Sequence, residues 1–148
     1  MKKRMMVVGP DDRDKELVVS LLEGSRNIPH IQSILYLRNC ISIPSSYLRG
    51  AGMMKHIIAT QQNANAVFMV LSTDRSFPIY SPHFAKAFRV PTIGLILIKD
   101  KEDLEGLLRC KSELEKARVG RILLLDPSND QQIQELQNIR QSIEEGMI

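Results

Sequence analysis

Gly9 and Lys15 stand six positions apart, directly after the apolar run Met5-Met6-Val7-Val8 and before the helically spaced Leu17, Val18, Leu21 and Leu22. This is the frame of a phosphate-binding loop, G-x-x-x-x-G-K-[ST]. Its glycines let backbone N–H groups approach an anion, its lysine reaches the phosphates and its hydroxyl holds Mg²⁺. In this chain the second glycine position holds Asp14 and the hydroxyl position holds Glu16. Asp11, Asp12, Asp14 and Glu16 place four carboxylates around Arg13 and Lys15. One carboxylate about 4 Å from a phosphate charge costs ~4 kcal/mol at an effective dielectric near 20. Lys15 cannot offset two of them. The same acids in the first turn of a helix favour its positive end and cap its free N–H groups, with Lys15 as an ion-pair partner. The stretch therefore reads as a self-capped helix start that does not hold triphosphate tightly. The alternative is an altered loop in which Glu16 ligates Mg²⁺.

Other residue types capable of chemistry do not converge. His30, His56 and His83 have no partner at metal-ligand spacing, and Ser81-Pro82-His83 lacks the surroundings of a nucleophile elbow. Glu102-Asp103 and Glu144-Glu145 read as solvated charge at helix ends. No catalytic residue and no metal ligand is assigned.

The elements that must position the loop follow from periodicity. Ala66–Leu71, Thr92–Ile98 and Ile122–Leu125 are unbroken apolar runs, the pattern of parallel strands buried on both faces. Ile31–Leu37 and Cys40–Ile43 predict an antiparallel hairpin turning at Arg38-Asn39, the second strand joining the core. Helices are expected around Met53–Ile58, Phe84–Phe88 and Leu104–Ala117, the last stopped by Gly120. A final helix carries Ile133, Leu136, Ile139 and Ile143 on one face, begun by a Ser128–Gln131 capping box. Alternating strands and helices with short links predict one α/β domain over residues 1–148, with ligands sought at the carboxyl ends of the strands.

Composition sets the outer bounds. The 148 residues are 43% apolar and 25% charged, enough for a single buried core without disulfides or metal. Net charge is +3 and only 5% of residues are aromatic, which gives no footprint for nucleic acid. Cys40 and Cys110 are far apart and form no C-x-x-C, which suits a reducing compartment. Met1-Lys2-Lys3-Arg4 resembles a signal n-region, but too few apolar residues follow it. A cytoplasmic protein away from the membrane is expected.

At its strand ends the chain resembles the EutP/PduV family, small P-loop proteins of bacterial ethanolamine and propanediol utilisation. The family's opening G-P-S-G-C-G-K-T is met by Gly9-Pro10-Asp11-Asp12-Arg13-Asp14-Lys15-Glu16. Its switch segment N-A-I-D-T-P-G-E-Y-L is met by Asn39-Cys40-Ile41-Ser42-Ile43-Pro44-Ser45-Ser46-Tyr47-Leu48. Its F-A-S-M-F-N-K-P-V-I-G run is met by Phe84-Ala85-Lys86-Ala87-Phe88-Arg89-Val90-Pro91-Thr92-Ile93-Gly94. The resemblance covers nearly the whole chain and implies a Ras-like P-loop fold, three layers α/β/α around a mostly parallel sheet of five or six strands. It also implies nucleotide binding and association with microcompartment systems for amine or diol breakdown.

Departures from the family fall on the residues that handle nucleotide. Ser42 stands for the metal-organising Asp and Ser45 for the switch glycine. In place of T-K-x-D the chain has Leu97-Ile98-Lys99-Asp100, which keeps Asp100 but shifts the lysine by one residue. Strand alternation would then point Lys99 away from the family lysine's place. The resemblance, so modified, implies a non-catalytic accessory or binding protein of amine or diol catabolism, without a bound cofactor and with a protein partner. Tyr47, Leu48, Met53 and Met54 in the switch region are expected to be exposed and to form the interaction surface. The alternative is an ATP- or GTP-binding NTPase or phosphotransferase with Mg²⁺, in which Gly9, Lys15, Glu16, Ser42 and Asp100 carry the contacts.

Overall fold

A computed structural model describes residues 2–50 and 52–146; the ends of the expected 1–148 domain and residue 51 lie outside the described residues. The six strands are β1 (Arg4–Val8), β2 (Leu35–Tyr36), β3 (Cys40–Ser42), β4 (Ala64–Ser72), β5 (Thr92–Leu97) and β6 (Arg121–Leu125). They form one sheet in the order β2-β3-β1-β4-β5-β6, with every pairing parallel except β2 with β3. The helices are α1 (Asp12–Glu23), α2 (Ser46–Arg49), α3 (Met54–Thr60), α4 (Leu104–Lys116) and α5 (Asp130–Glu144), and Phe84–Ala87 forms a single 3₁₀ turn.

Strand alternation sorts the apolar residues onto two faces. Met5, Val7, Phe68, Val70, Leu95 and Leu97 face a core closed by Val18 and Leu22 of α1 and Leu136, Ile139 and Ile143 of α5. Met6, Val8, Val67, Met69 and Ile96 face a second core closed by Ile57 of α3 and Cys110 and Leu114 of α4. Helices on both faces make the expected three layers. The parallel strands read as unbroken apolar runs because neither face is wet.

Several local expectations need correction. The hairpin is antiparallel, but β2 is two residues long, because residues 31–34 leave the sheet edge and form no strand. The stop of α4 is Arg118, held at φ 69°, and Gly120 instead donates its N–H to Thr92 O at the entry of β6. Ser128 does not cap α5. Asn129 does, accepting the Gln132 N–H, while Gln132 Oε1 accepts the Asp126 N–H. The cap is thus displaced one residue and is not a reciprocal box, because the Asn129 N–H goes to Asp126 O, and Ser128 bonds the Asp126 carboxylate.

Candidate functional site

Helix α1 begins at Asp12, so only Gly9, Pro10 and Asp11 separate it from β1. In a phosphate loop the stretch before the lysine wraps an anion; here it is already wound into helix, and Pro10 has no N–H to offer. Asp11 is the N-cap, its carboxylate accepting the Asp14 N–H at 3.0 Å. Asp14 is helical and needs no left-handed backbone; among the described residues only His83 and Arg118 are non-glycine positions with positive φ. Gly9 has a packing reason to be glycine, since a Cβ there would lie 3.2 Å from Val70 Cβ.

Lys15 is 2% exposed and points inward from the first turn of α1. Its Nζ donates to Ile43 O at 2.8 Å and to Asp12 Oδ1 at 3.1 Å. The same Asp12 oxygen accepts the Ser45 backbone N–H at 2.9 Å and the Ser45 hydroxyl at 2.8 Å. One carboxylate oxygen thereby collects the loop lysine and both donors of the position that stands for the switch glycine. Burial would raise the Asp12 carboxyl, but the Ser45 bonds and the Lys15 ammonium outweigh it and hold the group below its ordinary value. Arg49 of α2 adds a bond to Pro10 O at 2.7 Å, so residues 43–49 are tied to the start of α1 from both sides.

A second ion pair closes the other flank. β5 ends at Leu97, so strand alternation does not govern Lys99. Its Nζ reaches Asp14 Oδ1 at 2.6 Å, a contact with the start of α1 that the alternation argument did not foresee. The Asp14 hydrogen bond, opposed by partial burial, raises the Lys99 ammonium above its ordinary value. Asp100 does not join this group. It is exposed, and its carboxylate accepts the Glu102 N–H in the turn before α4. Glu16 takes a different partner, His30 Nδ1 at 2.8 Å. Ser42 is buried in β3, aligned with Val7.

The crevice between the ends of β1 and β4, where the strand order reverses and α/β sheets hold their ligands, is occupied by Tyr80. Its hydroxyl donates toward Val70 O at 3.0 Å and Val8 O at 3.3 Å, and burial pushes the phenol well above its ordinary value. A cavity of about 350 Å³ adjoins the carboxyl end of β4, with Leu71, Ser72 and Tyr80 in its lining, and others of about 630 and 540 Å³ lie elsewhere; Gly9, Lys15, Ser42 and Asp100 line none of the three. The structure thus brings Lys15 together with Asp12 and Ser45, and Asp14 together with Lys99, but separates Glu16 and Asp100 from both. Sequence reasoning missed Asp12 as the lysine's partner, although its spacing three residues before Lys15 is that of helical ion pairs. Nothing local signalled Ser45 or Tyr80.

The expected exposed surface is also corrected. Tyr47, Leu48, Met53 and Met54 are half-buried, and Tyr47, Leu48 and Met54 pack against the second core. The unforeseen helix α2 turns the first two inward, and the Tyr47 ring lies beside His56. The exposed large apolar side chains are Phe77, Leu104 and Leu108, with Ile31 and Tyr36. Cys40 and Cys110 are buried free thiols; burial raises both, Cys110 to about 11. Among the described residues no group of metal-ligating side chains assembles, and no helix is long and apolar enough to cross a membrane.

The family model described as "Ethanolamine utilisation - propanediol utilisation" matches residues 1–142. The propanediol utilization protein PduV of Citrobacter freundii is 24% identical over 121 residues, 81% of each chain. Translation elongation factor SelB from Methanococcus maripaludis, in its apo form, superposes with a TM-score of 0.52 at 12% identity. That match covers 99% of this chain and 35% of SelB, so the chain spans about a third of that structure and shares its fold there.

Proposed function

This chain belongs to the ethanolamine and propanediol utilisation family, and from that premise we propose that it is a non-catalytic accessory protein of amine or diol catabolism. It works without tight nucleotide binding, in association with a microcompartment or its enzymes. The observation that carries this reading is Asp12, whose carboxylate oxygen takes the bonds of Lys15 Nζ and Ser45 that an incoming phosphate would need. Switch segments of active GTPases are ordered by a phosphate and released when it is lost. Here the segment after β3 is ordered by the chain's own carboxylate. It presents one conformation to a protein partner.

The test is a melting curve of the purified protein with millimolar ATP or GTP and Mg²⁺. Binding at about 100 times Kd adds ~2.7 kcal/mol, a readily visible shift. No shift at millimolar nucleotide is expected. A shift that Lys15→Ala abolishes would overturn the reading in favour of an NTPase or phosphotransferase with an altered loop.

A further inference from the structure

We infer that the cavity at the amino-terminal end of the sheet, opposite the Gly9–Lys15 loop, binds a compact polyanion: a small phosphoryl compound. The cavity holds about 630 Å³ and gathers Lys2 and Lys3 before β1, Arg38 in the β2–β3 turn, Asn65 at the start of β4, and Arg140 and Glu144 on α5. Four cations therefore face one carboxylate. Among the described residues none of the four takes part in an ion pair. Lys2 Nζ donates to Asn39 Oδ1 at 3.0 Å, and Arg140 Nη1 reaches Leu22 O only at 3.4 Å. Two further acids at this end are engaged: both carboxylate oxygens of Glu23 accept the Asn39 N–H, at 2.9 and 3.2 Å, and Glu145 Oε1 accepts from Gln141 Nε2 at 3.0 Å.

A concave wall of like charge focuses its field and concentrates counter-ions, and four unpaired cations repel one another until an anion sits among them. Two further atoms point to an occupant. Asn65 Oδ1 and Arg140 Nε are buried without a hydrogen-bond partner among the described residues, and both residues belong to the lining. Buried polar atoms are normally paired. Arg140 Nε is a donor, and the Asn65 amide offers its NH₂ from the same place when turned over, since the two orientations differ only in which terminal atom is nitrogen. Two guanidinium forks and two ammonium groups match the several oxygens of a phosphoryl group. The cavity shares no residue with the loop, so this site stands whether or not the loop binds nucleotide.

Inorganic pyrophosphate is the probe, titrated into ¹⁵N-labelled protein at low salt with NaCl of equal ionic strength as the control. Saturable amide shifts grouped at residues 2–4, 38–39, 65 and 140–144 are expected. The surface double variant Lys3→Gln/Arg38→Gln should weaken binding by about tenfold without changing the fold. Arg140→Lys keeps the charge but loses the fork, and should weaken it as well. Shifts that NaCl reproduces, or an affinity unchanged in the double variant, would overturn the assignment. Displacement of pyrophosphate by duplex DNA at far lower phosphate concentration would overturn it too, because the patch would then read an extended backbone.

Discussion

Asp12 bears more of the local architecture than any other side chain near the loop, and its removal is the most informative single change. Asp12→Ala leaves Lys15 buried with only the Ile43 carbonyl and leaves Ser45 without its acceptor. Losing one partner of a largely buried pair should cost about 2–3 kcal/mol in urea unfolding, at the low end because Asp12 keeps some solvent contact. The double variant Asp12→Ala/Lys15→Met should be more stable than Asp12→Ala, since it removes the stranded ammonium; equal or lower stability would refute this account of Lys15. A pH titration gives an independent reading. The folded-state value of Asp12 lies below its unfolded one, so its stabilisation is complete well above pH about 4 and drains away as pH falls through that region. The gap in stability between wild type and Asp12→Ala should therefore narrow between about pH 5 and pH 3. A gap that stays constant would mean that the carboxylate's charge is irrelevant.

Among the elements, α4 shows best what sequence patterns can and cannot convey. Its existence followed from the spacing of Leu104, Leu107, Leu108 and Leu114, yet Leu104 and Leu108 turned out to be exposed while Gly106 is buried. Periodicity locates a helix but does not say which small residue must touch a neighbouring strand. A Cβ at Gly106 would lie 2.4 Å from Thr73 O and 2.5 Å from Asp103 Oδ2, the oxygens of a backbone and of the helix's own N-cap. Gly106→Ala should destabilise by about 3 kcal/mol, despite the ~1 kcal/mol by which alanine favours a helix. The three atoms nearest to a Cβ at Gly94 in β5 all belong to the Leu114 side chain, at 2.8 to 3.3 Å, a neighbour that gives more readily than backbone. Gly94→Ala should cost less, about 1–2 kcal/mol, and the order of the two variants is what a denaturation series checks. The parallel strands were legible because strands buried on both faces write themselves as unbroken apolar runs, whereas the half-exposed antiparallel edge strand β2 was overextended. Caps were misplaced by a residue or two because Asn129 and Ser128 cap equally well by type, while α4 stops at Arg118, a type that left-handed backbone disfavours, ahead of the glycine that type would choose. Three-dimensional partners such as Asp126 and Thr92 chose among them.

For the molecule as a whole, the P-loop-like fold stands with Asp14 and Glu16 at the positions where the loop pattern has glycine and a hydroxyl. Two apolar cores, one on each face of the sheet, hold it, and to these the loop adds the close packing of Gly9 and the polar ties of Asp12, Asp14 and Lys15. The candidate site was less legible than the fold because its decisive contact, Asp12 to Ser45, joins residues 33 positions apart. Rebuilding the loop is the matching test. Asp12→Gly, Asp14→Gly and Glu16→Thr together should melt below wild type when no ligand is present, since they cut the ties to Ser45 and Lys99. A rebuilt protein as stable as wild type would show that those ties do not hold the fold. The wild-type arrangement has one more consequence. A carboxylate built into the chain cannot be diluted, exported or hydrolysed, and its effective concentration is fixed by the covalent path between Asp12 and Ser45. Under the proposed function the posture of residues 43–49 is thus insulated from the metabolite pools around the protein, and acid or unfolding is what switches it off.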